Sequence, residues 1–113
     1  MAAMDAHQQL INHQTLDNLK QQIGSEMLPV VIATFIKEGE QTLSELSSLS
    51  RDELKRCYHT LKSSAAAIGA EALAKQASQL DAALKQNPHT QTNIAPLVQV
   101  YLETLSALRN MLK

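Results

Sequence analysis

Apolar residues recur at helical spacing in five stretches of this chain, and helix-breaking or helix-capping residues separate them. Leu16, Leu19 and Ile23 come before Gly24. Leu28, Val31, Ile32, Phe35, Ile36, Leu43, Leu46 and Leu49 come before Ser50. A third stretch ends at Gly69. A fourth, with Leu73, Ala77, Leu80 and Leu84, ends at Asn87-Pro88-His89. Leu97, Val98, Tyr101, Leu105, Leu108 and Leu112 form the fifth. The spacing predicts helices over 13–23, from about 25 to 48, from 50 to 68, over 71–86, and from a cap at Asn93 onward. Ser25 and Ser50 are the expected caps of the second and third. Ser50 with Glu53 forms a capping box, and Asp52 sits near the positive helix end. Pro29 falls in or just after the first turn of its helix and Pro96 within the first turn of its own, where a missing N–H costs little. Gly39 lies inside the second helix and need not end it.

Four helices of about four turns or more, joined by short connections, pack most simply as an all-α antiparallel four-helix bundle. The short first helix is expected to close one end. Residues 1–11 read as a flexible leader and 12–113 as the domain. Only 3 % of residues are aromatic, with three Gly and three Pro, which is thin for a β protein.

Ten basic and eleven acidic side chains give a net charge of -1, so nothing calls for nucleic acid. A single cysteine excludes an internal disulfide and fits a reducing compartment. The apolar runs are too short for a membrane span, and the first ten residues lack the features of a secretion signal. The expected place is the cytoplasm. His13 and Asp17, four apart, have half the spacing of a metal site but no third ligand in view. His7 and His89 fall in the leader and a loop. There is no glycine-rich phosphate loop, His-Glu-x-x-His or Cys-x-x-Cys.

The third helix holds the chemistry. Successive residues turn by about 100°. With Cys57 at zero, Leu54, Leu61, Ser64, Ala65 and Ile68 fall on one arc, which is expected to face the core. Tyr58 flanks it. His59 falls on the opposite side, with Lys55, Lys62, Ser63 and Ala66 around it. An outward histidine is hydrated, free to act as a nucleophile and open to another protein. Lys62, one turn on, can neutralise a phosphoryl group on the imidazole. The Ser63 hydroxyl can donate to a phosphoryl oxygen, and the small residues beside it leave room for approach. An exposed His near a Lys is also common on amphipathic helices that do no chemistry. Cys57, on the core arc, reads as an inert thiol.

The stretch His59-Thr60-Leu61-Lys62-Ser63-Ser64-Ala65-Ala66-Ala67-Ile68-Gly69 resembles the signature of histidine-containing phosphotransfer (HPt) domains. That signature is His-x-Leu-Lys-Gly/Ser, several small residues, then Gly ten places after the histidine. Phe35, in an apolar run before the motif, also matches, and the likeness covers about 100 residues. The resemblance implies a monomeric phosphorelay carrier with no ATP site or cofactor of its own. His59 would accept phosphate from an aspartate in the receiver domain of a hybrid sensor kinase. It would pass it reversibly to the receiver aspartate of a response regulator, with Mg²⁺ held by the receiver partner. Lys62 would neutralise the phosphate, Ser63 would be its small neighbour, and Gly69 would end the helix. Many members carry Gly where Ser63 stands and Gln where Asp81 stands. An ionised Asp81 can accept from the imidazole or from Lys62. Two rival readings remain: a helical adaptor that binds partners through an apolar groove, and a histidine kinase fragment. A kinase dimerisation helix usually has Glu or Asp right after its histidine, where this chain has Thr60.

Overall fold

The computed structural model describes residues 9–87, 89 and 93–113. Residues 1–8 of the expected leader, His7 among them, lie outside the described residues, as does Pro88 of the expected break. Five α-helices are present among the described residues: α1 (His13–Ile23), α2 (Met27–Glu45), α3 (Arg51–Ala67), α4 (Glu71–Gln86) and α5 (Ala95–Met111). A 3₁₀ turn, Leu46–Ser48, extends α2, and no strand occurs among the described residues. The four longer helices form the bundle. α3 packs most extensively on α4, α4 on α5, α5 on α2, and α1 on α2.

Local chemistry explains the boundaries. Ser50 Oγ accepts from the Glu53 N–H at 3.2 Å, and Glu53 Oε1 accepts from the Ser50 N–H at 2.8 Å, which completes the capping box. The hydrogen bonds with Ser50 hold the Glu53 carboxyl below its ordinary range. Asn93 Oδ1 accepts from the Ala95 N–H at 3.0 Å. Ser25 does not cap α2. The helix starts at Met27 with Glu26 before it and no side-chain cap; the Gly24 carbonyl accepts from the Leu28 N–H instead.

Ile32, Phe35, Ile36, Leu61, Leu73, Leu97, Leu105 and Leu108 are buried, as is Ile11, just before α1. Each large aliphatic side chain removed from water contributes roughly 1.5–3 kcal/mol. Gly39 lies under α5: a Cβ there would meet Leu105 and Tyr101 side-chain carbons at 3.0 Å. That close approach offsets the cost of a glycine within a helix. Leu112, expected on the α5 stripe, is 40 % exposed, while Thr104 is fully buried with its hydroxyl donating to the Val100 carbonyl.

The buried arc of α3 is rotated from the expected one. Tyr58 is completely buried, Cys57 and Leu54 are half-buried, and Ser64 is exposed. The tight partner of α3 is α4, and this draws Tyr58, Leu61 and Ala65 into the core. The side carrying Cys57 and Ser64 is left at an open cleft against α2.

α3 ends in a Schellman motif. The Ala70 N–H donates to the Ala65 carbonyl at 2.8 Å, the Gly69 N–H donates to the Ala66 carbonyl at 3.2 Å, and Gly69 has φ +82°. The Gly69 carbonyl accepts from the Asn12 N–H at 2.6 Å, and a Cβ on Gly69 would stand 2.7 Å from the Asn12 carbonyl oxygen. Gly69→Val should therefore destabilise the fold by about 1–3 kcal/mol through backbone strain alone, with the Asn12 contact adding to it. Urea denaturation measures this; an unchanged midpoint would show that the left-handed turn is dispensable.

Candidate functional site

His59 lies mid-way along α3, and its side chain is 66 % exposed. The capping box and the Gly69 turn fix the two ends of α3, and Tyr58, Leu61 and Ala65 fix its rotation. The histidine is thus held outward by a helix anchored on its opposite side. The rim of a shallow depression around it includes Lys55, Arg56, Thr60, Asp81 and Lys85.

Asp81 is the centre of the site. It projects from α4 toward α3 and is 2 % exposed. One of its oxygens, Oδ2, accepts from Lys62 Nζ at 3.1 Å, lies 3.1 Å from Lys85 Nζ, and faces His59 Nδ1 at 3.9 Å. The last distance is too long for a hydrogen bond. The Nδ1 edge of the ring nevertheless faces Asp81, which leaves Nε2 as the distal nitrogen. The other oxygen, Oδ1, is buried without a hydrogen-bond partner among the described residues. Burial pushes the Asp81 carboxyl upward. The hydrogen bonds and charges of Lys85 and Lys62 outweigh that and hold it below its ordinary value.

Sequence reasoning placed His59 and Lys62 together, and they share this carboxylate. Ser63 is exposed one turn beyond His59, and Gly69 serves the turn. Asp81 stood outside the expected site residues and Lys85 was missed. The signal was present: Leu73, Ala77 and Leu84 define the buried stripe of α4, and position 81 falls on it. An aspartate there must be neutralised, and Lys85 lies one turn away on the same helix. Burial pushes the Cys57 thiol up, which fits an inert side chain. His13 and Asp17 are both exposed on α1, and no metal-binding group of three or more His, Cys, Asp or Glu occurs among the described residues.

The model of the Hpt domain family matches residues 30–113. The chain belongs to the Hpt domain family. The matched part starts within α2, so α1 precedes it. The phosphorelay protein LuxU of Vibrio harveyi is 35 % identical over 82 residues, which cover 69 % of this chain and 72 % of that protein. LuxU of Vibrio cholerae is 38 % identical over 79 residues, covering 66 % and 70 %. LuxU of Vibrio vulnificus is 34 % identical over 82 residues, covering 69 % and 71 %. No solved structure matches significantly. Hpt domains relay phosphoryl groups as carriers rather than as enzymes, and that is the general function of this chain.

An aspartate with a depressed native pKa contributes stability above its unfolded value, about 3.9, and loses it as pH falls through the native value. The stability difference between the natural chain and Asp81→Asn should therefore be largest at neutral pH and shrink below about pH 4. Urea midpoints measured from pH 7 to pH 3 test this. A constant difference would mean that Asp81 contributes no linked proton.

Proposed function

We propose that His59 is the phosphoacceptor, with Nε2 as the attacking atom. The observation that carries this reading is an exposed imidazole on a rigidly held helix, with an ammonium one turn away. In the forward step Nε2 attacks the phosphorus of an aspartyl phosphate in the receiver domain of a hybrid sensor kinase. The P–N bond forms, the P–O bond breaks, and the receiver carboxylate leaves with its electron pair. The ring keeps its Nδ1 proton beside Asp81. The second step reverses this chemistry onto the aspartate of a response regulator. Lys62 offsets charge on the phosphoryl oxygens from the carrier side, and Mg²⁺ bound by the receiver partner would do so from the other. Ser63 leaves room over the ring and offers a hydroxyl donor. The likeness to Vibrio LuxU supports a place in a quorum-sensing relay, and we place the protein in the cytoplasm as a monomer. Its folded domain, on this reading, spans 12–113, with Ile11 of the expected leader packed into its core.

A helical adaptor is the second reading. An apolar cleft lined by Val30, Val31, Phe35, Ala67 and Ile68 favours it. An adaptor would work without His59.

Transfer from a radiolabelled phospho-receiver separates the two. His59→Ala should stay folded and take up no label, and the label on the natural chain should be acid-labile and base-stable. Lys62→Ala should slow transfer by roughly tenfold, the effect of about 1.4 kcal/mol at the transition state. Equal labelling of His59→Ala would overturn the assignment.

A further inference from the structure

Lys62 meets a physical obstacle in the role given to it above. It is tied to Asp81 Oδ2 at 3.1 Å, and Asp81 is 2 % exposed. A lysine that leaves a buried carboxylate to meet a phosphoryl group strands a charge out of water. The other oxygen, Oδ1, is already buried and unpartnered among the described residues. A carboxylate in this state, with a single counterion, would hold Lys62 and oppose transfer.

The structure contains a second counterion. Lys85 Nζ stands 3.1 Å from the same Oδ2 atom, reached from one turn further along α4, and its side chain is 54 % exposed. Two ammonium groups on one oxygen repel each other, so each weakens the other's hold. When one departs, the other remains and the repulsion is relieved.

We propose that Lys85 is a positioning residue that keeps Asp81 neutralised while Lys62 moves from Asp81 to the phosphoryl group on His59. The inference rests on the phosphocarrier reading. Its geometry is a handover on one atom. Lys62 and His59 share a side of α3, one turn apart, so Lys62 reaches Nε2 by side-chain rotation alone. As Lys62 leaves Oδ2, the Nδ1–H of the phosphorylated ring, which faces that oxygen from 3.9 Å, can close on the vacated position. Lys85 stays on Asp81 throughout. It acts through Lys62 and does not touch the phosphoryl group.

The test is a double-mutant cycle. Single-turnover transfer from a labelled phospho-receiver, at saturating receiver, is measured for the full natural chain, Lys85→Met, Asp81→Asn and the double variant. Lys85→Met should slow transfer about fivefold or more, and Lys85→Arg should recover most of the rate. In the Asp81→Asn background Lys85→Met should have no further effect, because a neutral amide needs no counterion. Equal slowing in both backgrounds would make Lys85 a direct phosphate ligand and overturn the proposal. So would an unchanged rate in Lys85→Met. A second measurement needs no Asp81 variant. NMR of the lysine side chains should show Lys62 Nζ shifting on phosphorylation of His59 while Lys85 Nζ does not, and the opposite pattern would also overturn it. If the natural chain takes up no label at all, the carrier reading falls and this inference with it. A labelled natural chain with no coupling in the cycle refutes this inference alone.

Discussion

Gly69 turns the chain with φ +82°, and the two Schellman hydrogen bonds lock that turn directly against Glu71, the first residue of α4. A connection this short leaves α3 and α4 no choice but to lie side by side along their lengths. Their contact is the most extensive in the bundle. The start of α1 is pinned to the same turn, through the Asn12 N–H and through the Asn12 side-chain amide, which donates to Glu71. Because α3 is pressed onto α4, Tyr58 and Ala65 face inward and His59 faces out. For the same reason Asp81 of α4 reaches the side of α3 that carries the histidine. The geometry of the site thus follows from a turn ten residues away from it.

Electrostatic effects at the site divide by solvent access. Arg109 and Glu40 pair between α5 and α2, but both are about half exposed, and such pairs contribute little in water. The Lys62–Asp81–Lys85 group differs because the carboxylate is withdrawn from solvent while both ammonium groups keep partial access to it. The negative charge is fixed on the buried side of α4, and the positive charges reach it on long, partly exposed side chains. On the phosphocarrier reading proposed above, a phosphoryl group on His59 would compete for Lys62 from the hydrated side of the helix.

Most of the fold was legible because its signals are local. Capping at Ser50, the stop at Gly69 and the apolar spacing of α2, α4 and α5 depend on residues within a turn or two. The rotation of α3 was not, because it depends on whether α4 or α2 is the nearer neighbour. Cys57 and Tyr58 are adjacent, and a helical wheel alone does not choose which of them faces the core. Ser25 misled in the same way: a good capping residue is of no use where the Gly24 carbonyl already accepts the Leu28 N–H. At the site, the outward placement of His59 with Lys62 one turn away was legible from one helix. The contact of Lys85 with Asp81 was not, because it depends on Asp81 standing at the α3 seam, and Asp81 was read as a departure from a motif rather than as a charge requiring counterions.

That departure has a physical consequence. Many family members carry Gln where Asp81 stands. A neutral amide beside the imidazole can donate or accept, and it makes no demand on the lysine of the next turn. An aspartate instead sets a charged acceptor opposite the Nδ1 edge of the ring, 3.9 Å away and not hydrogen-bonded to it. It also captures Lys62, which an amide does not. A chain with aspartate here needs a second cation within reach, and the i+4 position on α4 is the nearest that can supply one without disturbing α3. Lys85 occupies it. On the handover proposed above, Asp81 and Lys85 form one unit: the carboxylate faces the histidine, and the lysine prevents that carboxylate from immobilising the cation the phosphoryl group needs.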